Sequence, residues 1–131
     1  MLNKTILMGR LTADPVLRYT NTSQIPVASF SLAVDRRVAK DKERVTDFFN
    51  IVAWQTTGEF AAKNLTKGQQ ICVEGRLQQR SWVDKVTNVT RYAVEVIAES
   101  LYFAGFKRDD AQNADVGYDA DFDPYDDSVA A

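Results

Sequence analysis

DFFNIVAW, residues 47–54, reads as a β-strand that is apolar on both sides. Side chains alternate across a strand, so one register presents Phe49, Ile51 and Ala53 and the other Phe48, Asn50, Val52 and Trp54. In a small sheet protein one face of such a strand packs on the core and the other meets water. If Phe49, Ile51 and Ala53 point inward, two aromatic rings six residues apart are left outside on one strand. Burial in a core explains one face only.

The neighbouring segments show what kind of core this is. Alternating runs rich in β-branched and aromatic residues occur at 3–12 (NKTILMGRLT), 26–35 (PVASFSLAVD), 46–55 (TDFFNIVAWQ), 69–79 (QQICVEGRLQQ) and 90–103 (TRYAVEVIAESLYF). Between the third and fourth lies TTGEFAAKNLTKG, residues 56–68. Thr56 and Glu59 have capping-box spacing, Phe60, Ala61 and Leu65 share a helix face, and Gly68 suits a C-terminal stop. Residues 36–44 (RRVAKDKER) and 84–89 (DKVTNV) are polar and read as hairpin connections. Five strands with one short helix between the third and fourth form the layout of an all-β OB-fold, a five-stranded Greek-key barrel that binds oligonucleotides or oligosaccharides across one strand face.

Composition narrows the function. At 131 residues, 45% hydrophobic and 26% charged, the chain is the size and character of one soluble domain. It has no histidine, which removes the commonest general base and metal ligand, and with them a Ser-His-Asp triad, Cys-His catalysis and most zinc sites. The six glycines form no phosphate-binding or dinucleotide loop. A non-enzymatic protein with no catalytic residues, no metal and no cofactor is expected. Cys72, the one cysteine, is expected to be a small core residue. No apolar run is long enough to span a membrane and the start lacks a secretory signal, so a cytoplasmic location without membrane contact is expected.

The outer rings have two readings. Flat rings in an exposed groove accept stacked bases with little regard to sequence, and rings on an outer face can also be covered by a second subunit. Trp82 favours the first: in QQRSWVDK it stands just beyond the fourth strand, between Arg80 and Lys85, with little local core to join. A cation beside a ring neutralises the phosphate next to the base that stacks. Arg80, and the Arg36/Arg37 pair in the basic loop, are therefore candidate phosphate contacts.

These residues also carry a resemblance. NKTILMGRLTADPVLRYT resembles the first strand and following turn of the bacterial single-stranded DNA-binding proteins, ASFSLAVDR their second strand and TDFFNIVAW their third; LTKGQQICVEGRLQQRSW and TRYAVEVIAESLYF are similar to the rest of the domain. The resemblance covers residues 1–106. It implies an OB-fold, a homotetramer and wrapping of single-stranded DNA in replication, recombination and repair, in bacteria or in their phages and plasmids. It places base stacking on Phe48, Trp54 and Trp82 and adds Lys4 and Arg18 to the phosphate contacts. A fourth stacking position falls near Val38, where many members carry a ring, so weaker anchoring is expected in this loop.

The remaining residues form a second region. Residues 107–131 hold two bases and eight acids, a net −6, against 14 bases and 10 acids, a net +4, in residues 1–106. Rich in Asp, Ala and Gly, the tail is expected to be disordered. Family tails end in an acidic tip with a terminal Pro-Phe that docks on replication and repair proteins. Here Phe122, Asp123, Pro124, Tyr125, Asp126 and Asp127 supply similar chemistry inside the chain, followed by SVAA. An EF-hand reading of Asp119, Asp121 and Asp123 fails, because Pro124 and Ala130 stand where the loop needs glycine and glutamate.

Overall fold

The computed structural model describes residues 1–105. The expectations for the acidic tail lie outside the described residues. Six strands and one helix follow in order: β1 (Thr5–Leu11), β2 (Val16–Tyr19), β3 (Pro26–Asp35), β4 (Thr46–Trp54), α1 (Gln55–Asn64), β5 (Gln70–Val83) and β6 (Thr90–Phe103). The sheet order is β1-β5-β6-β4-β3-β2, and β1 also pairs with β3 through Arg10↔Ala33 and Leu11↔Leu32. That second pairing closes a ring of five strands, the barrel expected from the alternation pattern. β4 and β6 are the parallel pair of the ring, joined at Ile51↔Val96, Val52↔Ile97 and Ala53↔Ala98.

One side chain in two from each barrel strand fills the interior. Leu32, Ile51, Ile71, Val73 and Val96 are its largest fully buried members, and Ala61 and Leu65 from the helix segment close one end. Each large aliphatic buried this way contributes about 1.5–3 kcal/mol relative to exposure. The inward register of β4 is the predicted one: Ile51 and Ala53 are buried and Phe49 packs against the cluster.

Past a register shift at Glu74/Gly75, β5 ends its pairing with β1 and keeps that with β6. Gly75 lies so close to β6 that a Cβ there would collide with the Ile97 carbonyl oxygen. From Gln78 to Val83 the strand pairs with β6 alone and is exposed on both faces, so the two strands leave the barrel as a ribbon. The ribbon turns at residues 84–89, where Asp84 donates its N–H to the Val89 carbonyl and accepts the N–H of Asn88 at 2.7 Å.

Several local expectations need correction. β2 is an additional strand on β3; a four-residue run held by one neighbour leaves no periodicity to read. Trp82 lies inside β5, not beyond it, because the ladder to β6 carries the polar Gln78–Ser81 stretch as strand whatever its propensity. The helix begins at Gln55, two residues before the capping-box start, with extended Trp54 at its N-cap and no side-chain cap, so the Thr56/Glu59 box does not form. It ends at Asn64, and Gly68, at φ 84, serves the turn that follows, where its N–H meets the Leu11 carbonyl. Phe60 does not share the core with Ala61 and Leu65 but packs at the surface on Phe103, with ring centroids 5.9 Å apart. Cys72 faces outward and is half-buried, since the inward register of β5 there belongs to Ile71 and Val73.

Candidate nucleic-acid interface

The outward register of β4 is built as the alternation requires. Phe48 is 66% exposed and Trp54 43% exposed, with Asn50 and Val52 between them on the same face. At about 3.3 Å per residue the two rings stand roughly 20 Å apart, so each meets a different nucleotide. Cross-strand neighbours share a face, which extends this surface sideways. Arg18 of β2 pairs with Val27 of β3, and Val27 with Trp54, so one row carries an arginine beside an indole. The next row runs Val16, Ser29, Val52, Ile97 and Arg76 across five strands.

The ribbon supplies the third ring. Trp82 is 41% exposed, and the Arg80 guanidinium lies over its face, 4.9 Å from the ring centroid. Arg80 also faces Glu95 across the ribbon, with Nε 3.5 Å from Oε2. Arg91 stands directly opposite Trp82 and meets Asp84 at 3.5 Å. Sequence reading passed over Arg91. The signal was available: once the strands are paired from the turn at 84–89, Trp82 faces Arg91.

At the Phe48 end, the connection between β3 and β4 carries Arg36, Arg37 and half-buried Val38. Arg36 grips Asp47 with two hydrogen bonds, Nε to Oδ2 at 2.8 Å and Nη2 to Oδ1 at 2.9 Å. The hydrogen bonds, then the attraction between the charges, raise the Arg36 pKa; the same hydrogen bonds hold the Asp47 carboxyl below its usual range, against desolvation, which outweighs the direct charge attraction there. Asp84 is lowered chiefly by the backbone N–H groups of Val86 and Thr87, which it accepts at 2.9 and 3.4 Å. Arg18 and Arg37 have no carboxylate partner among the described residues. Lys4 stands apart: its ammonium is 3.5 Å from Glu74 and 3.6 Å from Glu99, on the β1–β5 side of the barrel.

The fold therefore gathers Phe48, Trp54, Trp82, Arg18 and Arg80 on the connected outer surface of β2, β3, β4 and the ribbon, puts Arg36 and Arg37 at its border and leaves Lys4 elsewhere. Comparison with known proteins decides what this arrangement belongs to, because the profile of the Single-strand binding protein family matches residues 2–104, the whole barrel with its ribbon. The chain belongs to the single-strand binding protein family. Among curated members it is 44% identical over 128 residues to the single-stranded DNA-binding protein of Caldanaerobacter subterraneus subsp. tengcongensis, covering 94% of this chain and 84% of that one. It is 41% identical over 117 residues to single-stranded DNA-binding protein 2 of Clostridium acetobutylicum, covering 88% and 87% of the two chains. It is 47% identical over 104 residues to single-stranded DNA-binding protein 1 of a Staphylococcus aureus strain, covering 79% and 65%. The family is one of binding proteins, not enzymes, in line with the lack of histidine. Among the described residues no helix is long and apolar enough to cross a membrane.

Proposed function

We propose that this protein coats single-stranded DNA with little regard to sequence during replication, recombination and repair, in the bacterial cytoplasm. The observation that carries this reading is the connected outer surface on which Phe48, Trp54 and Trp82 are exposed with arginines beside them. Each ring stacks one base, at about 1–3 kcal/mol. Arg18 and Arg37 meet phosphate directly; Arg36 and Arg80 must first exchange a carboxylate for a phosphate; Lys4, held between two carboxylates, contributes least. Titration with oligo-dT should quench tryptophan emission, and affinity should fall with salt by a log–log slope of about −0.7 per phosphate neutralised. Unchanged emission at saturation removes stacking, and salt-insensitive binding points to a sugar ligand.

The working form in this reading is a homotetramer. Two separate apolar faces support it. One is the outer side of β1, β5 and β6, where exposed Ile6, Met8 and Tyr102 surround half-buried Cys72. The other is the ribbon face continuing the register of buried Val96, with Leu77, Val83, Tyr92 and Val94 exposed. Soluble monomers seldom leave two such patches open, and two different two-fold contacts generate a closed tetramer. Sedimentation should give four chains, and Tyr92→Glu should reduce that to two.

The acidic tail completes the proposal. A −6 segment tethered to a +4 body competes with DNA for the same arginines, and its Phe122–Asp127 stretch offers aromatic and acidic groups to replication and repair proteins. Deleting residues 109–131 should tighten DNA binding and abolish partner capture while leaving the tetramer intact. Equal DNA binding at low salt together with unchanged partner recovery would reduce the tail to a solubility device.

A further inference from the structure

The ribbon needs a fixed root if its ring is to meet the same strand of DNA as the platform rings on β4. The last barrel row that holds it runs from Ile51 of β4 through Val96 of β6 to Leu77 of β5, with Ile51 and Val96 buried. One row further on, Gln78 faces Glu95 and the ladder between β6 and β4 has ended. On the other edge of β5 the ladder to β1 stops earlier still, at Thr5↔Gly75. The outer edge of Leu77 is nevertheless closed. Asn3 lies two residues before Thr5, as Leu77 lies two after Gly75, and its side chain takes both backbone groups of Leu77: Nδ2 donates to the carbonyl oxygen at 2.8 Å and Oδ1 accepts the N–H at 2.9 Å. A carboxamide carries a donor and an acceptor on one planar group, as a peptide unit does, so Asn3 stands in for one more residue of the β1 ladder. It is exposed and lies outside the core.

We infer that Asn3 is a positioning residue for DNA: by clamping Leu77 it fixes the angle at which the ribbon leaves the barrel, and with it the place of Trp82 relative to Phe48 and Trp54; the inference rests on the single-stranded DNA reading of that face. Five residues separate Leu77 from Trp82, about 17 Å of strand at roughly 3.3 Å per residue. A tilt of about 10° at the root therefore moves the ring by about 3 Å, roughly the rise of one stacked base. Without the clamp, β1 holds β5 only as far as Gly75, and the free arm that carries Arg80 and Trp82 begins two residues sooner. A ring placed before the base arrives gives more affinity than one that must be ordered on binding. Phe48 and Trp54 stand on β4, whose ladder to β3 does not pass through Asn3. The effect of the clamp thus falls on the ribbon ring and spares the other two.

The test is a double-substitution cycle read by oligo-dT titration of the full chain. Asn3→Ala should weaken binding about threefold, an ordinary size for coupled sites. Asn3→Asp, nearly the same shape, keeps an acceptor for the Leu77 N–H but turns a charge against its carbonyl, and should do the same. In a Trp54→Ala background the full loss should persist. In a Trp82→Ala background it should shrink to less than about 1.5-fold, because the ring that the clamp positions is gone. Hydrogen exchange gives a reading that needs no DNA: the Leu77 amide should lose protection in Asn3→Ala while those of Ile51 and Val73 keep theirs. Unchanged affinity in both Asn3 variants overturns the inference, as does a loss of equal size with and without Trp82, which would make Asn3 a matter of barrel stability alone. Full protection of the Leu77 amide in Asn3→Ala overturns it too. Failure of the unaltered protein to bind oligo-dT would overturn the single-strand reading itself, a separate result that the exchange measurement does not touch.

Discussion

β4 and the ribbon both offer aromatic rings to the same surface, yet they hold them differently. Behind Phe48 and Trp54 lie Ile51, Ala53 and Phe49, packed in or against the barrel core, with β3 paired along the whole strand and β6 along Ile51–Ala53. Behind Trp82 there is only the other face of a two-stranded ribbon, and in front of it lies Arg80. The first pair of rings is fixed before a base arrives. The third must lose or share its cation to receive one. A rigid platform gives affinity, and a ribbon that pairs with one neighbour adapts to the path of the strand.

The largest effect should come from the platform. The double variant Phe48→Ala/Trp54→Ala should lose about 2–6 kcal/mol of oligo-dT affinity, two stacked bases' worth, with an unchanged urea midpoint. Ile51→Ala, one residue from the exposed face, should do the reverse and cost about 2–5 kcal/mol of folding stability. If the double variant unfolds, the rings belong to the core and the contrast fails. Trp82→Ala should cost less, about 1 kcal/mol, because the ring gives up its Arg80 contact when a base stacks. Measured by the same titration, a loss equal to that of Trp54→Ala would show that the ribbon ring is as well prepared as the platform rings.

A smaller change separates the borders. Asp47→Asn frees Arg36 for phosphate and should steepen the salt slope by about 0.7. The pH dependence of stability has a fixed sign. The folded pKa values of Asp47 and Asp84 lie below their unfolded values, so their contribution is full above the unfolded carboxylate range and disappears as pH falls through the folded values. Acid unfolding of Asp84→Asn should show a shallower dependence over that window, and an unchanged profile would detach the ribbon turn from Asp84.

How much of this was legible depends on what held each segment. The five barrel strands were readable because their inward residues alternate against a single core, and Phe48 and Trp54 stood out as surplus to it. Val16–Tyr19 was not readable, since its strand character comes from β3. Nor was the length of β5, whose Gln78, Gln79, Arg80 and Ser81 are strand because β6 pairs with them. The helix start moved by two residues because β4 runs directly into it, leaving Trp54 at the cap. Arg91 and Glu95 were missed for the same reason as the ribbon: a residue's partner across a hairpin is invisible until the register is counted.

The ring of strands described above also has a history in time. Two hairpins, β3–β4 and β5–β6, join neighbours in the chain, whereas β4↔β6 is held by three residue pairs and β1↔β3 by two. Ordering a long intervening chain precedes the reward of such distant contacts. The hairpins are therefore expected to form early and the β1↔β3 seam to close after the main barrier. Substitutions at Leu11 or Leu32, on the last seam to close, should accelerate unfolding more than they slow refolding. A chain whose ring had not yet closed would be an open, curved sheet with unsatisfied edges at β1 and β3, the form most exposed to aggregation.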